Sequence, residues 1–463
     1  MNRYIAATLV VVRVAVGTVP AHADVLDLEN AQHIALADSP SLQAAEARVM
    51  QARARVLQAR SAYLPRVDLS ASGSKTWLAD NTSSSFGQMR FLGELFEELF
   101  AGLAVPPEFG ADTTDTVKSY SAGITANWTV FNGFGRLFSN AVARFGAEEN
   151  ETAYREAQRL LLDAVARSYY AAQLAREQIE IAEADEAFQI RQLQEAKARR
   201  RVGTGSLSDE LNFEVRANAA KTTLIGARRT YETVLIGLAT LLGLPEAEFT
   251  ADTTLAVLEP ESPADMELPE IDTLIAYAYE HRPDLAQSRL ALERARANTW
   301  LQRSVFLPQV NATFSHSANS DNEQLHRDEF STTVAVSLSY NLFAGGLDRA
   351  RVVEAKAGVK EAKRTLTADE IRVASETRQA LEVLRAAQDE LRLQRMNAEL
   401  VRRNRDLVEK GYAAGQESLV RLNEAQRDLV QASARLALAR VSLRQAWHDL
   451  RTATAETLES VEQ

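Results

Sequence analysis

Hydrophobic and polar positions divide the chain into long helical stretches and short two-faced strands. Apolar residues recur at alternating steps of three and four, for example at Ala380, Leu384, Ala387 and Leu391, a spacing typical of helices that pack along a seam. Four short segments instead alternate with period two, as a strand with two different faces requires. The pattern predicts helices near 28–63, 135–202, 206–242, 270–306, 347–411 and 416–452, and strands near 67–77, 118–131, 309–318 and 330–343.

Each predicted strand has an apolar face and a polar face. The apolar face of two strands comprises Tyr120, Ala122, Ile124, Ala126, Trp128 and Val130, and Val334, Val336, Leu338, Tyr340 and Leu342. Lengths near ten residues suit a tilted strand that crosses a membrane. Four strands cannot close a water-filled barrel, because about eight are needed. Either the four form a soluble sheet, or three copies of the chain supply twelve strands.

An internal duplication organises these elements. Pro40 and Pro65 match Pro283 and Pro308 at a constant offset of 243 residues, whereas Gly133 and Gly203 match Gly345 and Gly415 at an offset of 212. Each repeat then reads as a helix, two strands, a very long helix and a shorter helix. The sequence therefore predicts a first repeat at 24–257 and a second repeat at 258–463.

The change of offset locates an insertion in the first repeat. The two offsets differ by 31 residues, and the extra residues fall between the first two strands, around 77–120. Within them, 86–100 forms a short amphipathic stretch. If the helices lie in the periplasm, these strand ends face the cell exterior, so we expect an extracellular loop near 78–117.

Composition excludes several kinds of chemistry. The chain of 463 residues has no cysteine, so disulfides, thiolate metal sites and cysteine nucleophiles are excluded. Its six histidines are scattered, with no two at metal-ligand spacing. The glycine pairs at 133–135 and 203–205 lack the preceding buried parallel strand that a phosphate-binding loop needs. We therefore expect no enzyme activity, no metal and no cofactor.

The first 23 residues resemble a secretory signal peptide. Arg3 supplies the positive start, 5–19 is mostly apolar, and 21–23 is a small-x-small cleavage site. Removing this segment takes away two arginines and no acidic residue, so the formal net charge of −11 becomes about −13. So acidic a surface argues against a nucleic-acid partner. Elsewhere no run of 18 apolar residues predicts a transmembrane helix.

Several junctions together resemble the TolC-type outer-membrane efflux protein family over nearly the whole mature chain. The helix-to-strand junctions are Leu-Pro-x-Val at 64–67 and 307–310, and the strand-to-helix junctions are Phe-Asn-Gly at 131–133 and Phe-Ala-Gly at 343–345. The segment 411–426 is similar to the family's tyrosine–glycine–serine–leucine–alanine–glutamine turn, and 201–209 is its counterpart in the first repeat. Each motif alone is weak, but all occur twice and in order.

The resemblance implies a mainly α-helical protein with membrane β-structure. It implies a homotrimer with one twelve-stranded barrel in the outer membrane and an α-helical tunnel in the periplasm. The partners it implies are a periplasmic adaptor protein, an inner-membrane transporter that supplies energy, and outer-membrane lipid. The chain itself would be the passive exit duct of a tripartite efflux or type I secretion system, exporting small molecules or proteins.

The resemblance also assigns roles to the two interhelical turns, which would form the periplasmic tip. The adaptor-docking residues that it implies are Gly203, Thr204, Gly205, Ser206, Leu207, Ser208, Gly415, Gln416, Glu417, Ser418 and Leu419. Family members often carry a ring of acidic residues just past the second turn. The matching positions here are Arg421 and Glu424, with Asp209 in the first repeat, so a pore constriction is expected there without the strong cation preference. Arg421 and Glu424 stand at the helical spacing of an ion pair.

Two other classes of protein would also have long helices. A periplasmic adaptor would have one helical hairpin flanked by strand-rich domains, whereas this chain has two hairpins and few strands. A secreted coiled-coil scaffold would explain the helices but not two pairs of two-faced strands. Heat-modifiable migration after extraction from the outer membrane would separate a channel from both.

Overall fold

The protein is mainly α-helical with one principal β-sheet. The computed structural model describes residues 25–77, 116–249, 253–321 and 326–462. In chain order the elements are β1 (Val25–Leu26), α1 (Leu28–Asp38), α2 (Pro40–Ser61), β2 (Arg66–Trp77), β3 (Thr116–Asn132), α3 (Gly135–Arg201), α4 (Leu207–Leu242), β4 (Thr254–Leu255), α5 (Ile271–His281), α6 (Pro283–Arg303), β5 (Gln309–Ser320), β6 (Phe330–Ser339), α7 (Leu347–Ala413), α8 (Leu419–Thr454) and α9 (Glu456–Glu462). Helices α3 and α7 have 67 residues each, so each is roughly 100 Å long.

The first helix of each repeat is broken, and the prediction of single helices at 28–63 and 270–306 is wrong. Helix α1 ends before Ser39, and α5 ends before Arg282. Both residues adopt an extended backbone, with ψ of 120° and 122°, and each precedes a proline that starts the next helix. The proline ring disfavours a helical conformation at the preceding residue. A proline at the first position of a helix is well tolerated, so a new helix begins at once.

Two compact units share the chain. The described residues within 1–49, 149–289 and 365–463 form the first unit, and the described residues within 50–148 and 290–364 form the second. The amphipathic stretch 86–100 and the signal segment 1–23 lie outside the described residues, so the extracellular loop and the cleavage site remain predictions.

The second unit contains a four-stranded antiparallel sheet in the order β2-β3-β5-β6. Its register aligns rows of like side chains, such as Val67, Ala126, Phe314 and Val334 across the four strands. The neighbouring row carries Asp68, Thr125, Ser315 and Thr333. Because successive side chains of a strand point to opposite faces, one face of the sheet is apolar and the other polar. The strand predicted to reach 343 ends at Ser339.

The apolar face of this sheet is exposed in a single chain. The large apolar side chains include Leu69 at 81% exposure, Val334 at 74%, Val336 at 73% and Leu338 at 71%. Exposed apolar surface of this extent marks a contact with a protein or with lipid.

The first unit is an array of packed helices. One cluster buries side chains of α1, α3 and α4 with the short strands β1 and β4, which pair in parallel. A second cluster packs α5 against α7 and α8. The seam predicted on α7 is buried, since Leu384 and Leu391 are both fully inaccessible. Alanines such as Ala387, Ala439 and Ala446 lie between the leucines and let the helices approach closely.

Candidate docking site at the two interhelical turns

The turns that join α3 to α4 and α7 to α8 have the same construction. Gly203 and Gly415 have φ angles of +80° and +74°, a left-handed conformation that side chains with a Cβ disfavour. The amide of Thr204 then donates to the carbonyl of Arg199 at 2.9 Å, and the amide of Gln416 donates to the carbonyl of Gly411 at 2.8 Å. These bonds satisfy carbonyls that the helix end would otherwise leave unpaired.

A serine caps the helix that follows each turn. The hydroxyl of Ser206 accepts a hydrogen bond from the amide of Ser208 at 3.1 Å, and that of Ser418 accepts from the amide of Arg421 at 3.2 Å. Serine is among the preferred residues at this position, because its short side chain reaches the free amides of the first helical turn. Glycine followed three residues later by serine therefore specifies each turn.

An apolar cluster packs the two turns against each other. It buries Phe188, Ala196, Phe213, Val408, Leu422 and Ala425. The ring of Phe213 meets that of Tyr412 edge-on at 6.5 Å, and the guanidinium of Arg199 lies over the same tyrosine ring at 5.3 Å. Burial raises the pKa of Tyr412, and the carboxylate of Asp209 raises it further, so the phenol stays neutral. The tyrosine thus joins the helices of the first repeat to those of the second.

Polar contacts continue this packing away from the turns. The side-chain amide of Asn423 donates a hydrogen bond to the side-chain oxygen of Asn212 at 3.2 Å. Further along, Glu409 accepts hydrogen bonds from Arg405 at 2.7 Å and from Arg191 at 3.3 Å. The acidic charge at Glu409 is therefore already matched within the chain.

The predicted docking residues all lie in the two turns or in the first residues of the helices that follow them, and most of them are exposed. The two turns differ at their leucines. Leu207 is 50% exposed, whereas Leu419 packs against the buried cluster. The exposed Leu207 can contact a partner, whereas Leu419 of the second turn is used in packing within the chain.

The residues predicted to line a constriction follow the turns directly. Asp209 is half-buried, while Arg421 and Glu424 are exposed on α8. Among the described residues no ion pair joins Arg421 to Glu424, although their spacing allowed one. Each charge is therefore free to face solvent.

One surface feature was missed by the analysis of the sequence. A groove of about 550 Å³ beside the first turn is lined by Gln194, Lys197, Arg200, Arg201 and Glu210. The run of three arginines at 199–201 was the available signal. Only the structure separates these arginines, because Arg199 covers Tyr412 while Arg200 and Arg201 line the groove.

Within the part of the chain that the structure describes, no group of three or more histidine, aspartate or glutamate side chains is placed to hold a metal ion. None of the described helices combines the length and apolarity that crossing a membrane requires.

Comparisons with known proteins give a consistent result. A family model described as "Outer membrane efflux protein" matches residues 32–244 and 274–456. The chain is 27% identical to protein CyaE of Bordetella pertussis over 432 residues, which cover 92% of this chain and 84% of that protein. It is 26% identical to the alkaline protease secretion protein AprF of Pseudomonas aeruginosa, over 69% of this chain and 62% of that protein. The solved CmeC outer membrane channel of Campylobacter jejuni superposes with a TM-score of 0.76 at 16% identity, covering 94% of this chain and 89% of that one.

Proposed function

The chain belongs to the outer membrane efflux protein family and is therefore an outer-membrane channel for the export of small molecules or proteins; on that premise we propose that three copies close one twelve-stranded barrel. The helices of each copy extend the channel as a tunnel in the periplasm, and the two interhelical turns form its tip. The protein is the passive exit duct of a tripartite efflux or type I secretion system. It catalyses no reaction.

The observation that carries this proposal is the sheet with an exposed apolar face and two outer strands, β2 and β6. Among the described residues of one chain, these outer strands have no neighbour on one side. Unpaired strand edges are unfavourable in lipid, where each free backbone group costs several kcal/mol. Pairing β6 of one copy with β2 of the next closes the sheet after three copies, and the apolar face then meets lipid while the polar face encloses water.

Reconstitution of the purified protein tests the proposal. We expect a trimer that migrates on gels before heating as a larger species than the single denatured chain seen after heating, and stepwise conductance in a planar lipid bilayer. A secreted coiled-coil scaffold or a periplasmic adaptor would remain a soluble species without conductance. A soluble monomer that never copurifies with the outer membrane would contradict the proposal.

The turns are the docking surface for a periplasmic adaptor, which links the duct to an inner-membrane transporter. Support comes from their exposure and from their position beside rigid, well-packed helix ends. A Cβ atom built on Gly203 or Gly415 meets nothing within 4 Å, so the surface around each glycine is open to a partner.

Gly415→Trp is expected to weaken adaptor binding by about tenfold or more, because a bulky side chain would stand in the open space that the partner needs. Gly415→Asn serves as the control. Asparagine tolerates a left-handed backbone better than other side chains and adds little volume, so its effect should stay within a few-fold. Pull-down of the protein with the adaptor measures both. Equal binding of the parent and both variants would remove the docking role.

Asp209, Arg421 and Glu424 line a constriction of the pore near the tip. We expect Arg421→Ala to increase cation preference and Glu424→Ala to decrease it, because each variant leaves the other charge in the ring unbalanced. Single-channel recording of conductance and reversal potential measures the change. If neither variant alters either quantity, these residues lie outside the narrow part of the pore.

A further inference from the structure

The groove beside the first turn has a strongly cationic wall. Gln194, Lys197 and Arg201 follow one another at spacings of three and four along α3, which places them on one face of the helix. Arg200 and Glu210 complete the lining. Three cations and one carboxylate therefore surround this groove, on a chain whose overall net charge is −11.

Most of this positive charge has no ion-pair partner among the described residues. Arg200 pairs with Glu210 at 2.9 Å, and the glutamate side chain is only 16% exposed. Lys197 and Arg201 are exposed, and neither makes an ion pair among the described residues. By contrast, the nearby Arg199 packs over the ring of Tyr412. The fold thus assigns one arginine of the run to packing and leaves a net charge of about +2 facing the groove.

The second repeat does not reproduce this charge. At the offset of 212 residues, Gln194 corresponds to Asp406, Lys197 to Glu409, Arg200 to Tyr412 and Arg201 to Ala413. Glu409 is paired with Arg405 and Arg191, and Tyr412 is packed into the cluster between the turns. At the positions that match this groove lining, the helix that enters the second turn therefore carries acidic or neutral residues instead of cations.

We infer that the groove of the first turn receives an acidic surface of the periplasmic partner protein, and that the second turn does not. This inference rests on the proposed function, since it names the chemistry of the partner that docks at the tip. Aspartate or glutamate side chains on a helical hairpin tip would meet Lys197 and Arg201, and an apolar side chain beside them would contact the exposed Leu207. Complementary charge of this kind speeds association and selects one orientation of docking.

Charge reversal in the groove tests the inference. In Lys197→Glu/Arg201→Glu, we expect adaptor affinity at low salt to fall at least tenfold, with most of the loss in the association rate. Binding to the parent should weaken as salt rises, because exposed charges are screened, whereas binding to the variant should not. Changing two acidic residues of the adaptor tip to lysine should restore binding to the variant. The same changed adaptor should bind the parent weakly. Surface plasmon resonance with the trimer immobilised in detergent gives both rates.

Arg402→Glu/Lys410→Glu is the matched control, since it makes the same change of charge at exposed cations of α7. Its affinity should stay within twofold of the parent. Equal losses in the two double variants, or no loss in the groove variant, would overturn the inference. Failure of the parent itself to bind an adaptor would instead count against the proposed function, so the two failures are distinguishable.

A second copy of the chain is the other possible occupant of this groove. The chain has no cysteine, so Gln194→Cys creates a single labelling site at an exposed, neutral position of the lining. We expect a hydrophilic maleimide to label this cysteine in the isolated trimer and the bound adaptor to protect it. Protection already present in the isolated trimer would mean that a neighbouring copy covers the groove, and the inference would be wrong.

Discussion

Arg282→Ala is expected to lower the free energy of unfolding of the helical unit by about 3–5 kcal/mol, the usual cost of breaking a buried ion pair from one side. The Arg282 side chain is 1% exposed. Its guanidinium donates to both carboxylate oxygens of Asp284 at 3.0 and 2.7 Å, to Glu376 at 2.6 Å and to the carbonyl of Ala453 at 3.1 Å. The variant would leave Asp284 charged beside the partly exposed Arg372.

The pKa of Asp284 provides a second way to detect the loss of this ion pair. Burial by itself would raise the pKa, but the hydrogen bonds and charge of Arg282, with the hydrogen bond from Arg372 and the charge of Arg159, together outweigh it and lower the pKa to about 2. Because the folded pKa lies below the ordinary value of 3.8, this stabilisation is complete above pH 4 and is lost as pH falls towards 2. In Arg282→Ala the pKa should rise, so acid unfolding should begin at a higher pH.

Urea unfolding followed by far-ultraviolet circular dichroism, repeated at several pH values, measures both effects. Arg289→Ala is the control, since that arginine is exposed and its guanidinium bonds only to the carbonyl of Tyr279 among the described contacts. The control should lose less than about 1 kcal/mol. If both variants lost equally little, the buried network would not stabilise the unit.

Local patterns were sufficient for the two long helices, for the presence of the four long strands and for the two turns. Alternation along 333–339 reflects a purely local property, because a strand must send successive side chains to opposite faces. Glycine and serine at 203 and 206, and again at 415 and 418, mark the turns for equally local reasons, namely a positive φ and a free amide to cap. These parts of the fold depend on residues that are close in sequence.

The break at Arg282 could not be predicted in the same way. A proline is compatible with the first turn of a helix and with a kink inside one. Pro283 alone therefore does not determine whether one helix ends and another begins at this point. Distant residues then stabilise the break, since Glu376 and Ala453 bind the guanidinium that it places between helices. The groove at Lys197 was missed for a similar reason. Charges on a helix look alike in sequence until packing shows which of them already have partners.

The largest effect on assembly is expected from a charge on the apolar face of the sheet. Val336 is 73% exposed in one chain and pairs with Ala312 of the neighbouring strand. In the proposed barrel this side chain faces lipid. An arginine there costs about 2–4 kcal/mol near the middle of a bilayer and less towards its surfaces, and three copies carry the cost at once. We therefore expect Val336→Arg to reduce the amount of heat-modifiable trimer in outer membranes by at least tenfold.

The adjacent Ser337 provides the control because it lies in the same strand and pairs with Asn311 on the opposite, polar face. Ser337→Arg should face water inside the barrel, so the trimer should assemble at close to the parent level. Its three added charges should instead lower cation conductance in a planar bilayer. Comparable assembly of the two variants would mean that the apolar face does not meet lipid, and the twelve-stranded barrel would have to be abandoned. If only Val336→Arg loses assembly, the loss depends on which face of the sheet carries the arginine and not on the added charge itself. A closed barrel in a membrane requires this dependence.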